Sequence, residues 1–221
     1  MDYTNKADDY FNHERPEMLA FLPETCKRAL DVGCGEGTFA LQIKNMLGAE
    51  VWGIELMPEP GEEAKKCLDK VFIGPCENFV NDLPDTYFDV IYCNDVLEHL
   101  VDPYTFLGHL KSKLTENGVI ISSIPNIRYH DAFKKIILQK KFEYEGHGIF
   151  DKTHMRFFTK SSIANMYGNL GFKIISHKGI NRTRSLKPYL YNIPFFFTAM
   201  DMFYLQFATV AKRASNPKKA D

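Results

Sequence analysis

The sequence predicts an α/β fold, a single doubly wound domain whose mostly parallel sheet carries helices on both faces, and three observations support this. Short apolar runs recur without the alternation of a half-solvated strand, so both of their faces must be buried. Segments with apolar residues at helical spacing lie between them. The first run ends in a cluster of glycines, Gly33, Gly35 and Gly37, directly before a helix.

Residues 29–32 (ALDV) form the first strand, and residues 38–47 the helix that Gly48 stops. Residues 51–54 make the second strand, followed by Glu55 and a polar helix over 62–68; residues 71–73 make the third, closed by Gly74 and Pro75. The run 88–93 (FDVIYC) is the fourth, 104–114 its helix, and 118–124 (GVIISSI) the fifth, ended by Pro125. Helical connections between such strands return by right-handed crossovers, which a parallel sheet requires. A helix over 161–169 and strands over 172–177 and 203–211 bring the sheet to seven strands. Residues 1–27 are expected to form an N-terminal helical cap, and residues 212–221 a polar, basic, frayed tail. The single domain, 1–221, thus divides into a cofactor-binding half, 28–125, and an acceptor-binding half with the last strands, 126–221.

Composition narrows the function. With 221 residues, 45% hydrophobic and 25% charged, the chain is neither disordered nor a coiled coil. A formal net charge of -1 gives no positive field to collect phosphate backbones, so there is no clear nucleic-acid signal. Five cysteines (Cys26, Cys34, Cys67, Cys76, Cys93) without a C-x-x-C pair, behind a polar and acidic N-terminus, predict a reducing, cytoplasmic setting. The aromatic stretch 189–210 is broken by Asn192, Pro194, Asp201 and Gln206, so no transmembrane segment is expected. It is expected to be a buried helix and strand, with a membrane-surface contact as the alternative. A homodimer is compatible with this composition.

The chemistry concentrates at Leu30-Asp31-Val32-Gly33-Cys34-Gly35-Glu36-Gly37. Its glycines let the backbone approach a ligand and start a helix whose first amides face it. About 20 residues beyond Gly35, at the end of the second strand, Glu55, with Leu56 after it, can accept hydrogen bonds from both hydroxyls of a ribose. A purely structural turn uses the same glycines, and a solvated surface carboxylate is the alternative for Glu55. The third glycine, Gly37, comes one residue early for the dinucleotide fingerprint, and Thr38 stands where that fingerprint wants Gly or Ala, which disfavours a nicotinamide cofactor.

Four segments in register, LDVGCGEG, WGIE, FDVIYCNDVLEHLVDP and GVIISSIPN, resemble the class I S-adenosylmethionine-dependent methyltransferases, a Rossmann-like family. The resemblance runs from about residue 29 to 211 and implies S-adenosyl-L-methionine as cofactor. By position it implies that Asp31, Gly33 and Gly35 line the methionine and ribose, Glu55 the ribose hydroxyls, Cys76 and Glu77 the adenine edge, and Asn94 the place beside the sulfonium. Pro75 stands where many relatives have an acid, so the adenine amino contact falls to the Cys76 backbone or Glu77. NDVLEHL and THMRFFT resemble the subset that includes ubiquinone-type O-methyltransferases and those of bacterial glycan and small-metabolite pathways. Asp95, Glu98 and His99 are also similar to the E-x-x-E-H segment through which some O-methyltransferases hold a divalent metal, with His154 as a further ligand. The same E-H-L begins a helix without metal in other relatives, and no metal is assigned.

Methyl transfer from a sulfonium is an in-line displacement, so placement of the nucleophile and exclusion of water dominate. A hydroxyl acceptor must lose a proton, for which His154 is the first candidate base and His99 the second, with Arg156 or Asn126 orienting the acceptor. A capping or core role near the 161–169 helix is the alternative for His154. His130 and His147 are either acceptor contacts or idle surface groups. Residues 126–158 and 182–200 are expected to form the lid, beyond the carboxyl ends of the strands. The expected function is O-methylation of a small-molecule, sugar or lipid-linked acceptor. The alternatives are a nucleic-acid or protein acceptor, and an inactive cofactor-binding module working through the aromatic C-terminal stretch.

Overall fold

The computed structural model describes residues 14–214. A single turn, α1 (Pro16–Leu19), precedes β1 (Arg28–Val32), and Gly37 opens α2 (Thr38–Leu47), which Gly48 ends in the left-handed region. Then follow β2 (Glu50–Glu55), α3 (Pro58–Ala64), β3 (Lys70–Ile73), the short α4 (Cys76–Phe79) and β4 (Phe88–Asn94). Asp102 caps α5 (Pro103–Lys113) by accepting from the amides of Tyr104 and Thr105, and β5 (Leu114–Pro125) completes the parallel part. The remainder comprises α6 (His130–Phe133), continued by a π-helical turn over Lys134–Leu138, then α7 (Lys160–Asn169), β6 (Phe172–Arg182), α8 (Lys187–Asn192) and β7 (Tyr204–Arg213).

The strands order as β3-β2-β1-β4-β5-β7-β6, with β7 antiparallel to both of its neighbours. This is the expected mostly parallel, seven-stranded, doubly wound sheet. Its central strands are apolar on both faces: Leu30, Val32, Ile91 and Cys93 pack into one core, and Ala29, Val90 and Tyr92 into the other. That two-sided burial is why these runs do not alternate.

Five expectations need correction. The helix expected over 62–68 begins at Pro58, because proline is pre-set for the first helical position and the buried Pro60, Gly61 and Ala64 fix the packed face. The strand expected over 172–177 runs to Arg182, and Lys212 and Arg213 belong to β7 rather than to a frayed tail. Both extensions exist because β6 and β7 pair over their whole length, Phe172 opposite Arg213 and Arg182 opposite Tyr204, and this edge tolerates polar side chains. The helical cap amounts to α1 among the described residues; residues 1–13 of it and residues 215–221 of the tail lie outside them. The stretch 189–210 is buried at Asn192, at Ala199 and, with few exceptions, from Met202 onward into the last strand, whereas residues 193–198 are all exposed.

The carboxyl ends of β1, β2, β4 and β5 share one edge of the sheet. Pro125 lies opposite Gln206 and Arg182 opposite Tyr204, so the segments 126–159 and 183–203 emerge at that same edge. Among the described residues no helix is long and apolar enough to cross a membrane.

Candidate active site

A cavity of about 580 Å³ opens at this edge, a size suited to a nucleoside-containing ligand. Its floor is the glycine turn after β1. The amides of Gly33 and Cys34 both donate to the Ile54 carbonyl, at 2.7 and 3.1 Å, which holds the turn against the end of β2. Gly33 has φ +73°, and a Cβ there would stand 2.7 Å from Val96 Cγ2, so both backbone conformation and space demand glycine.

From that turn the Gly35 amide donates to Glu55 Oε2 at 2.8 Å, while the Met57 amide donates to Oε1 at 2.9 Å. The two sequence signals therefore meet in one hydrogen bond. Burial raises the pKa of Glu55, and the amides of Met57 and Gly35 partly oppose that shift. Asp31, one strand position below the turn, is pushed up to about 8 by burial, with Arg15 opposing and Glu55 reinforcing.

The cofactor residues expected from sequence all line the cavity. Asp31, Gly33, Cys34 and Gly35 come from β1 and its turn; Glu55 and Leu56 from the end of β2; Cys76 and Glu77 from the start of α4; Asn94 from the end of β4. Asn94 Oδ1 is buried without a hydrogen-bond partner among the described residues, an acceptor that a bound ligand would satisfy.

Sequence reasoning missed Arg15. Its guanidinium lines the cavity and pairs with Asp95, which is also bonded by Ser123 Oγ at 3.0 Å and Gln206 Nε2 at 2.6 Å. Asp95 itself sits at φ +52°, a costly conformation for a non-glycine residue at the rim of a site. The only trace of Arg15 in the sequence is that it precedes Pro16, which marks a helix start.

The NDVLEHL and THMRFFT segments are far apart in sequence and clasped in space. The Glu98 carbonyl accepts from the amides of Met155 and Arg156, at 2.8 and 3.0 Å. His99 Nδ1 donates to the Thr153 carbonyl at 3.0 Å, and His154 Nδ1 to the Ile149 carbonyl at 2.9 Å. A carbonyl only accepts, so both rings carry their lone pair on Nε2 when neutral. Their centroids are 4.8 Å apart. Burial, with His154 adding, lowers His99 to about 4, so its imidazole is neutral near pH 7.

His99 lines the cavity, whereas His154 packs behind it and Arg156 lies outside, its Nε donating to the Val101 carbonyl at the lip. Thr159, not His154, caps α7. Asn126 is fully buried and spends its side chain on backbone: Nδ2 donates to the carbonyls of Asp201 and Tyr204, and Oδ1 accepts from the Arg128 amide. It ties the end of β5 to the start of β7, which corrects the expectation that it orients an acceptor. His130 is buried on α6 and His147 is exposed, and neither lines the cavity.

Glu98, His99 and His154 each offer one ligand atom, all within 4.8 Å of one another. Glu98 is fully buried, and neither carboxylate oxygen has a hydrogen-bond partner among the described residues. An isolated buried carboxylate is costly, and two states relieve it: protonation, consistent with its strongly raised pKa, or a divalent cation.

A family described as a methyltransferase domain matches residues 3–177. The mitochondrial ubiquinone biosynthesis O-methyltransferase of Schizosaccharomyces pombe is 38% identical over 104 residues, 44% of this chain and 37% of that protein. The ubiquinone biosynthesis O-methyltransferase of Actinobacillus pleuropneumoniae is 32% identical over 125 residues, 52% of this chain and 53% of that one. The chain thus spans about half or less of the length of these curated relatives. In fold it is similar to the crystal structure of a SAM-dependent methyltransferase from Archaeoglobus fulgidus, with a TM-score of 0.65 and 19% identity over 89% of this chain and 91% of that one.

Proposed function

The chain belongs to the methyltransferase-domain family, and from that membership we propose that it binds S-adenosylmethionine and methylates an oxygen of a small-molecule, sugar or lipid-linked acceptor. The observation that carries this reading is the Gly35–Glu55 hydrogen bond, which sets a carboxylate and a glycine-turn amide on one nucleoside-sized cavity. Glu55 would take the ribose hydroxyls, Cys76 and Glu77 the adenine edge, and Asp31 and Asn94 the methionine end. Arg15, the cation lining the cavity, would face the cofactor's carboxylate.

Bound S-adenosylmethionine supplies an electrophilic methyl group. The residues of this chain do the rest: the apolar lip of Val96, Leu100 and Val101 excludes water, and the acceptor hydroxyl gives its proton to a histidine Nε2. His99 is the better placed base because it reaches the cavity, and His154 then acts as the residue that positions it. Residues 28–125 hold the donor, and residues 126–214 shape the acceptor side. The five free cysteines support a reducing, cytoplasmic setting.

A second reading is a divalent cation on Glu98, His99 and His154, favoured by the orphaned Glu98 carboxylate. Transfer of labelled methyl to a panel of hydroxylated aromatics, sugars, lipid-linked glycans, RNA and protein tests the acceptor class. Labelling of small or lipid-linked hydroxyl compounds is expected. Labelling of RNA or protein alone would contradict the proposal, and labelling of nothing, with the donor still bound, would favour an inactive binding module.

A further inference from the structure

A strained, exposed aromatic loop stands at the same edge of the sheet as the cavity. Residues 193–198 are all exposed, and Phe196, at 87% exposure, is its tip. Phe196 and Phe197 adopt φ of +49° and +60°, a conformation disfavoured for bulky side chains. The loop is nevertheless held firmly. Buried Asn192 accepts from the Ala199 amide at 2.8 Å through Oδ1 and donates through Nδ2 to the carbonyls of Pro188 and Ala199, while its own carbonyl takes the Phe197 amide at 3.1 Å. Backbone strain and a buried polar clamp together keep phenyl rings in water.

The patch extends beyond the loop. Leu186, Leu190 and Ile193 are exposed on the α8 side. Phe133 packs against Tyr191 at a tilt and against Phe195 edge to face, with centroids 5.4 and 6.1 Å away, and so joins α6 to that side. On the far side Ile137, Leu138 and Phe142 are exposed as well. Monomeric soluble surfaces seldom leave so much connected apolar area uncovered.

Charge identifies what covers it. Residues 128–145 carry five Lys or Arg against three Asp or Glu, and residues 182–201 three against one, in a chain whose formal net charge is -1. Of those acids, Asp131 and Glu145 are paired to Lys135, and Asp201 to Arg128. Lys134, Lys140, Lys141, Arg184 and Lys187 form no ion pair among the described residues. An exposed aromatic tip, on a face whose segments carry these five cations outside any ion pair, matches a bilayer with anionic headgroups, the rings entering the acyl boundary and the cations resting on phosphates.

We infer that this face, the 193–198 loop with the 137–142 segment beside it, docks the protein on an anionic membrane surface, with the cavity edge turned toward the lipid. The inference stands apart from the methyl-transfer reading, since docking is read with neither donor nor acceptor present. Flotation with vesicles of equimolar phosphatidylglycerol and phosphatidylcholine is the test. The wild-type chain floats with them, releases as salt rises, and floats poorly with phosphatidylcholine alone. Phe196→Asp with Phe197→Asp lowers partitioning by roughly tenfold or more, and Lys140→Gln with Lys141→Gln by roughly fivefold per lysine. Met46→Asp, which puts one such aspartate on an exposed methionine at the far end of α2, leaves it unchanged. Circular dichroism and binding of S-adenosylhomocysteine establish that each variant is folded. Failure of the wild type to float, or equal losses from Met46→Asp, would overturn the inference. So would sedimentation showing a self-associated chain that Phe196→Asp disperses, because the occupant would then be a second copy.

Discussion

The cavity floor and the aromatic rim break the ordinary partition of residues in opposite senses. The floor buries carboxylates: Asp31 and Glu55 are each at most 5% exposed. The rim exposes phenylalanines a short distance along the same sheet edge. Each inversion is disfavoured in isolated protein, and each is stabilised locally by devices that serve nothing else: amides of Gly35 and Met57 on Glu55, and the Asn192 clamp under the loop. A fold tolerates such inversions where an outside component completes them, a polar ligand in one case and an apolar phase in the other.

The largest effect that would break this comparison is at Glu55. Replacing it with alanine removes charge-assisted bonds to the ribose and should weaken S-adenosylhomocysteine binding by roughly a hundredfold or more. A calorimetric titration reads this, and an unchanged affinity would mean that the buried carboxylate serves only the turn. His99→Gln comes next: turnover should fall roughly a hundredfold while donor binding holds, if the ring is a base. Elemental analysis of the same variant sharpens the reading, since loss of a bound ion together with inhibition of the wild type by a chelator would assign His99 to the cation instead.

A smaller effect is the pH dependence of stability. Asp31 titrates at about 8 in the folded chain against 3.8 ordinarily, so between those values the folded state holds the extra proton and stability falls as pH rises. His99 is lowered from 6.5 to about 4, so across that interval the unfolded state holds the extra proton and stability rises with pH. The two oppose each other below 6.5; from there to about pH 8 Asp31 contributes a decline of at most ~1.4 kcal/mol per pH unit, and Glu98, also raised by burial, adds in the same direction. Urea unfolding at stepped pH should show that decline, and Asp31→Asn should make it shallower. A wild-type profile already flat above pH 6.5 would remove Asp31 from the buried acids that a ligand completes.

The legibility of these regions in the sequence differs for the same physical reason. The glycine turn and Glu55 could be found because each signal is local: a strand end, the residue next to it, and the helix that follows; Asn94 came only through the resemblance of FDVIYCNDVLEHLVDP. Arg15 meets Asp95 across 80 residues, and His99 meets Thr153 across 54, distances over which no periodicity operates. Asn126 looked like a site residue because polar groups at strand ends often touch ligands, yet here its valences close on backbone. The aromatic stretch misled because hydropathy records that a side chain is apolar, not whether the fold offers it a neighbour.

The most direct test of the central claim is calorimetric titration of the wild-type chain with S-adenosylhomocysteine and, separately, with NAD. One S-adenosylhomocysteine bound per chain, with no heat from NAD, is the predicted result. Saturable binding of NAD, or no heat from either ligand to a folded chain, would contradict it.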